Sequence, residues 1–206
     1  MARYTGPKNK LARREGLDLG LKSPSSGAHS SLLRKLNIPP GQHGVRGRRK
    51  ESEYSIQLRE KQRARRIYGV LEKQFQRYFA QALKTRGATG AKLLQLLELR
   101  LDNVLYRLAL APTRASARQL ISHGHVTVNG KKVTIPSYSV SEGQVISVKA
   151  KSLSMPVVAE MLKEKNPVIP AWFQRQGPAG KVAKLPQRED IDTILNEQLI
   201  VEYYSR

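Results

Sequence analysis

Between Leu97 and Val148 a helical hydrophobic period gives way to strict alternation, and that change leaves few folds open to the chain. Leu94, Leu97, Leu101, Val104, Leu105 and Leu108 recur three and four residues apart, which predicts one helix with these side chains on a common face. Pro112 interrupts the pattern, and Thr113 is placed to cap a second helix in which Ala117, Leu120 and Ile121 face inward, up to Gly124. Val126-Thr127-Val128 and Lys131 to Ile135 then flank Asn129-Gly130, the dipeptide that favours a two-residue type I′ turn, so a hairpin follows. After Glu142-Gly143, Val145 to Val148 reads as one more strand. The unit is helix, helix, hairpin, strand.

Charge decides what such a unit would meet. The 206 residues carry 37 Lys and Arg against 16 Asp and Glu, a net +21, which draws the chain to a polyanion. Residues 1 to 90 hold 21 of the bases and only 6 of the acids, so the positive field is concentrated there. With no cysteine, disulfides, a thiol nucleophile and a cysteine zinc site are excluded. Neither a run of roughly 20 apolar residues nor a signal-peptide centre occurs. A cytoplasmic location is the default expectation, and an organelle-encoded copy would read the same.

Three stretches are candidates for phosphate contact. Lys8, Lys10, Arg13, Arg14, Arg46, Arg48, Arg49 and Lys50 lie in a segment without long helical periods, which reads as an arm that threads along a polyanion without a prior fold. Arg59, Lys61, Arg63, Arg65, Arg66 and Lys73 lie where Ser52 to Lys84 turns helical, with a break near Tyr68-Gly69. So dense a run is either a solvated face or a phosphate-binding one, and the scarcity of neighbouring acids favours the second. Arg114, Ser116, Arg118 and Gln119 sit at the start of the predicted second helix, where unpaired N–H groups favour anions. The alternative is ordinary ion pairing of those arginines with Glu98 or Asp102. His123, Lys131 and Lys132 border the hairpin, and His123 fits either nucleic-acid contact or a structural role.

The remaining chemistry is sparse. Gly87 and Gly90 lack the spacing of a phosphate loop, and Lys92 is followed by Leu93. No catalytic triad, carboxylate pair or metal cluster stands out, so no catalytic residue, metal or cofactor is assigned. Gln174 to Pro186 reads as loop, and Trp172 as core. From Glu189 to Arg206 five acids accompany Ile191, Ile194, Leu195, Leu199 and Val201, a segment expected to fold back over Phe75, Tyr78 and Phe79 because a polyanion would repel it.

Arg100 to Val104, Thr113-Arg114, Ala117 to Ile121, His123 and Val126 to Gly130, in that order, resemble the RNA-binding domain of the ribosomal S-four family. The flanks extend the likeness to the bacterial-type, zinc-free members: Pro40 to Gly44, Leu58 to Gln62, Tyr68 to Phe75, Pro170 to Trp172 and Asn196 to Glu202. The resemblance implies an α+β fold, a mostly helical domain with an inserted small domain of helices packed on an antiparallel sheet, preceded by a basic N-terminal arm. Its expected bounds are 1–45 for the arm, 46–93 with 170–206 for the helical domain, and 94–169 for the inserted domain, core 97–148. It implies a structural constituent of the small ribosomal subunit that binds small-subunit ribosomal RNA directly, nucleates assembly of the subunit body, touches neighbouring ribosomal proteins and contributes to translational accuracy. Two features depart from the family. Asn9 and Ala12 stand in the opening stretch where some members carry zinc-binding cysteines, and Ala109 stands where glycine is common, so a differently shaped loop is expected there. The same RNA-binding unit occurs on RNA-modifying enzymes such as pseudouridine synthases and on free-standing modules, but the residues outside it are too few and too basic for a catalytic domain.

Overall fold

The computed structural model describes residues 4–44, 50–164, 167–192 and 194–206. Two compact units emerge, one of Met1–Gly90 with Ile194–Arg206 and the other of Ala91–Thr193. In chain order the helices are α1 (Lys8–Glu15), α2 (Gly27–Arg34), α3 (Glu53–Ile67), α4 (Glu72–Leu83), α5 (Thr89–Glu98), α6 (Leu101–Arg107), α7 (Arg114–Ser122), α8 (Pro156–Lys163) and α9 (Glu197–Tyr204). The strands are β1 (Val126–Val128), β2 (Lys131–Lys132), β3 (Val145–Val148), β4 (Phe173–Gln176) and β5 (Ala179–Val182).

In the first unit the opening segment is folded, which corrects the expectation of an arm without structure of its own. Ala12 of α1, Leu19 and Leu32 of α2 are buried together, with Leu17, Leu21, Leu36 and Ile67 of α3 packed on them. Ser26 caps α2 by accepting from the His29 N–H, and the His29 ring meets Asp18 at 2.7 Å. Helices of eight residues show too little periodicity to be read from sequence, and their stability comes from this packing. α3 starts at the Ser52 cap and ends before Gly69, whose φ of 63° turns the chain into α4. Phe75, Phe79 and Ala82 form the buried stripe of α4, while α9 packs along α3. The Tyr204 ring of α9 stacks on Phe75 and Phe79, so the expected fold-back holds for 194–206 only: 189–192 lie in the second unit, and Ile194 is exposed rather than part of the apolar face.

In the second unit the five strands form one antiparallel sheet in the order β2-β1-β3-β5-β4. Leu101, Val104, Leu105 and Leu108 of α6 and Ala117, Leu120 and Ile121 of α7 share a core with Val126, Val128, Ile146, Val148 and Val182 of the sheet. Each of the Leu, Ile and Val side chains contributes roughly 1.5–3 kcal/mol on burial. Asn129 and Gly130 have φ of 48° and 77°, as a type I′ turn requires. Gly180 on β5 is needed for close packing, since a Cβ there would lie 2.5 Å from Leu108 Cδ2.

Three expectations for this unit are overturned. The predicted first helix is two, α5 and α6, broken at Leu99-Arg100. There Leu101 N–H donates to Tyr138 O and Asp102 N–H to Pro136 O, while Val140 N–H donates to Leu99 O. These long-range bonds replace helical ones and bend the chain. Residues 173–182, read as mostly loop belonging with the helical domain, are the hairpin β4–β5, paired to β3 through Val145–Lys181 and Ile146–Gly180. Residues 170–192 accordingly lie in the second unit. Ala109, finally, keeps a φ of 51° despite its Cβ. The Arg175 guanidinium donates to the carbonyls of Leu108 and Ala109 and holds the turn in that shape.

Candidate nucleic-acid interface

The bases expected to bind phosphate fall into structurally different groups. On α1, Lys10 and Arg14 are exposed, whereas Arg13 donates to the carbonyls of Ile38 and Pro39 and braces the chain beyond α2. Lys8 is half-buried. Arg46, Arg48 and Arg49 lie outside the described residues, and Lys50 is exposed ahead of α3.

The run on α3 is not a bare cationic face. Arg59 and Arg66 both reach the buried Glu15 carboxylate of α1, Arg63 meets Glu60 at 2.6 Å, and Lys61 and Arg65 meet Glu72 of α4 at 2.8 and 3.2 Å. Lys61 is itself buried and lies over the Tyr203 ring. Burial pushes the Glu15 carboxyl up, outweighing the nearby charges of Arg66 and Arg59, and the same burial lowers Arg66. Five bases thus meet three acids, and part of the run holds helices together. Their partners Glu15 and Glu72 lie on other helices, which is why local sequence showed one acid only.

α4 carries the contrasting surface. Lys73 and Arg77 of α4 and Lys84 at its C-cap are exposed, and at about 100° per residue they fall within roughly 40° of one another, opposite Phe75, Phe79 and Ala82. Lys73 was expected here; Arg77 and Lys84 were missed, although their spacing of four and eleven from Lys73 is legible in the sequence. Arg86, just beyond, is exposed as well.

In the second unit, Thr113 accepts from the Ser116 N–H and caps α7, whose first turn presents Arg114 and Ser116, both partly exposed. Arg114 Nε donates to Asn103 Oδ1 at 2.8 Å, with its guanidinium 4.4 Å over the Tyr106 ring. Arg118 lies 3.8 Å from Asp102, a carboxylate that Arg100 holds from two nitrogens at 3.0 and 2.7 Å. The ion pairing weighed as an alternative for Arg118 is therefore real, but long. Gln119, His123, Lys131 and Lys132 are exposed, and the Lys132 chain runs beside Gly124 at the end of α7. Among the described residues no group of His, Cys, Asp and Glu could hold a metal ion, and no helix is long and apolar enough to cross a membrane.

The side-chain-capped start of α7, the arginines on its first turns and the tight hairpin that follows it place the second unit in a class of small RNA-binding domains. Residues 99–146 match the S4 domain, and residues 3–98 match the ribosomal protein S4/S9 N-terminal domain. The chain is 54% identical to small ribosomal subunit protein uS4 of Dictyoglomus turgidum and 55% identical to that of Herpetosiphon aurantiacus, in each case over the full length of both chains. Small ribosomal subunit protein uS4A of Symbiobacterium thermophilum is 52% identical, also over both full lengths. The chain belongs to the family of small ribosomal subunit protein uS4.

Proposed function

We propose that this protein is a structural constituent of the small ribosomal subunit that binds small-subunit ribosomal RNA directly, nucleates assembly of the subunit body and contributes to translational accuracy through neighbouring ribosomal proteins. The observation that carries this is full-length kinship to uS4 proteins combined with surface bases on both units: exposed Lys73, Arg77 and Lys84 on one, exposed Lys131 and Lys132 with the partly exposed Arg114 and Arg118 on the other. Phosphates that repel one another at an RNA junction are held together when cations are fixed on rigid helices. The remaining expected ligands, Lys8, Lys10, Arg13, Arg14, Arg46, Arg48, Arg49, Lys50, Arg59, Lys61, Arg63, Arg65, Arg66, Ser116, Gln119 and His123, contribute unequally. Lys61 is the weakest of the described ones because Glu72 and Tyr203 enclose it.

The role is structural rather than enzymatic. The buried acids Glu15, Glu60, Glu98 and Asp102 each hold arginines, which is how carboxylates serve a scaffold rather than proton transfer. Sedimentation of tagged protein through a sucrose gradient tests this reading: stoichiometric presence in small subunits is expected, and a peak of free protein alone would contradict it.

A further inference from the structure

The second unit contains a chain of polar contacts, running through the buried Glu98 and Asn103, that reaches Arg114. Glu98, 1% exposed, receives Arg107 on both carboxylate oxygens, Nη2 to Oε1 at 2.9 Å and Nε to Oε2 at 3.1 Å. Its Oε2 also accepts from Asn103 Nδ2 at 2.7 Å, and the same amide nitrogen reaches the Glu98 carbonyl at 2.9 Å. With both of these partners acceptors, the Asn103 amide has one sensible orientation, and its Oδ1 must face Arg114 Nε. Asn103 is itself 1% exposed, so an unpaired amide there would be costly and the orientation is firmly held. Tyr106, one turn along α6, supplies the ring under the guanidinium.

We propose that Asn103 and Tyr106 are positioning residues that fix the plane of the Arg114 guanidinium, so that Arg114 meets an RNA phosphate as an oriented fork rather than as a mobile charge. This rests on the reading of Arg114 as a phosphate ligand. An arginine pinned at Nε and over one face loses less freedom on forming paired bonds to a phosphate than an unrestrained one. The buried Glu98, itself held by Arg107, then acts at a distance by holding Asn103.

The test is a double-mutant cycle on full-length protein with in vitro transcribed small-subunit ribosomal RNA, measured as affinity over a range of salt. Arg114→Ala is expected to weaken binding about tenfold and lower the salt slope by about one. Asn103→Ala and Tyr106→Leu are each expected to weaken binding by a similar factor, and so is Arg114→Lys, which keeps the charge and loses the fork. In the Arg114→Ala background, Asn103→Ala and Tyr106→Leu should change affinity by less than about twofold, because they act through the missing side chain. Tyr106 is only partly buried, so its replacement by Leu keeps the fold even where Asn103→Ala does not. Additive losses in the doubles, with Arg114→Ala alone still weakening binding, would overturn the positioning role and spare the assignment of Arg114. An inert Arg114→Ala in a chain that binds RNA would overturn both.

Discussion

The Tyr204 hydroxyl donates to the Glu72 carboxylate at 3.0 Å while its ring stacks on Phe79 with centroids 4.4 Å apart, so the last helix is fastened to α4 by one side chain with two chemistries. Tyr204→Phe keeps the ring and removes the hydroxyl, and a loss of about 1 kcal/mol in unfolding free energy is expected. Deletion of residues 197–206 should cost far more, and should speed hydrogen exchange in α3 and α4. Unchanged exchange in 53–83 after the deletion would refute the fastening.

Glu72 makes the same contact sensitive to acid. Burial works to raise its carboxyl, but hydrogen bonds from Lys61 and Tyr204 and the charges of Lys61 and Arg65 overcome it and hold the group below its ordinary 4.5. A depressed carboxylate contributes stability that is present above the unfolded value and lost as pH falls through the folded one. Thermal melts of the protein and of Glu72→Gln, from neutral pH down to about 3, should show a gap that is constant above about pH 5 and closes below it. A gap that widens in acid would reverse the sign and contradict the assignment.

Ala109 occupies left-handed backbone that disfavours a Cβ. The conformation costs an alanine about 1–2 kcal/mol, and glycine gives back about 0.4–1 in unfolded-state entropy, so Ala109→Gly should stabilise the protein by roughly 0.5–1 kcal/mol. Chemical denaturation measures this directly, and a destabilised variant would show that the methyl group makes a compensating contact.

The two basic helices should respond in opposite ways to neutralisation. Replacing Lys73, Arg77 and Lys84 together by Gln should leave the melting temperature nearly unchanged and reduce the salt slope of RNA binding by about 2 to 3. Replacing Arg59 and Arg66 by Ala leaves Glu15 buried without its partners, and about 3–5 kcal/mol of stability should be lost. Equal loss of stability in the two variants would erase the distinction between a binding face and an internal ion-pair set.

These contrasts also mark where sequence was informative. The Asn129-Gly130 turn, the Thr113 cap and the apolar face of α7 follow from local rules, and each is present. What local rules could not reach depends on distant partners. The break at Leu99-Arg100 is made by Pro136, Tyr138 and Val140. Strand β4, Phe-Gln-Arg-Gln, has almost no β-branched or alternating character of its own and owes its conformation to β5, which pairs with β3. The basic residues of the candidate site were legible as residue types and by segment. Which bases on α3 are already occupied was not, because Glu15 and Glu72 approach only in the folded chain.

The most direct test of the account is the affinity of the purified protein alone for protein-free small-subunit ribosomal RNA as a function of salt. A primary binder that neutralises on the order of six phosphates should form a one-to-one complex without other ribosomal proteins and lose roughly a thousandfold in affinity between about 50 and 200 mM salt. Binding that requires a second protein, or an affinity nearly constant over that range, would contradict it.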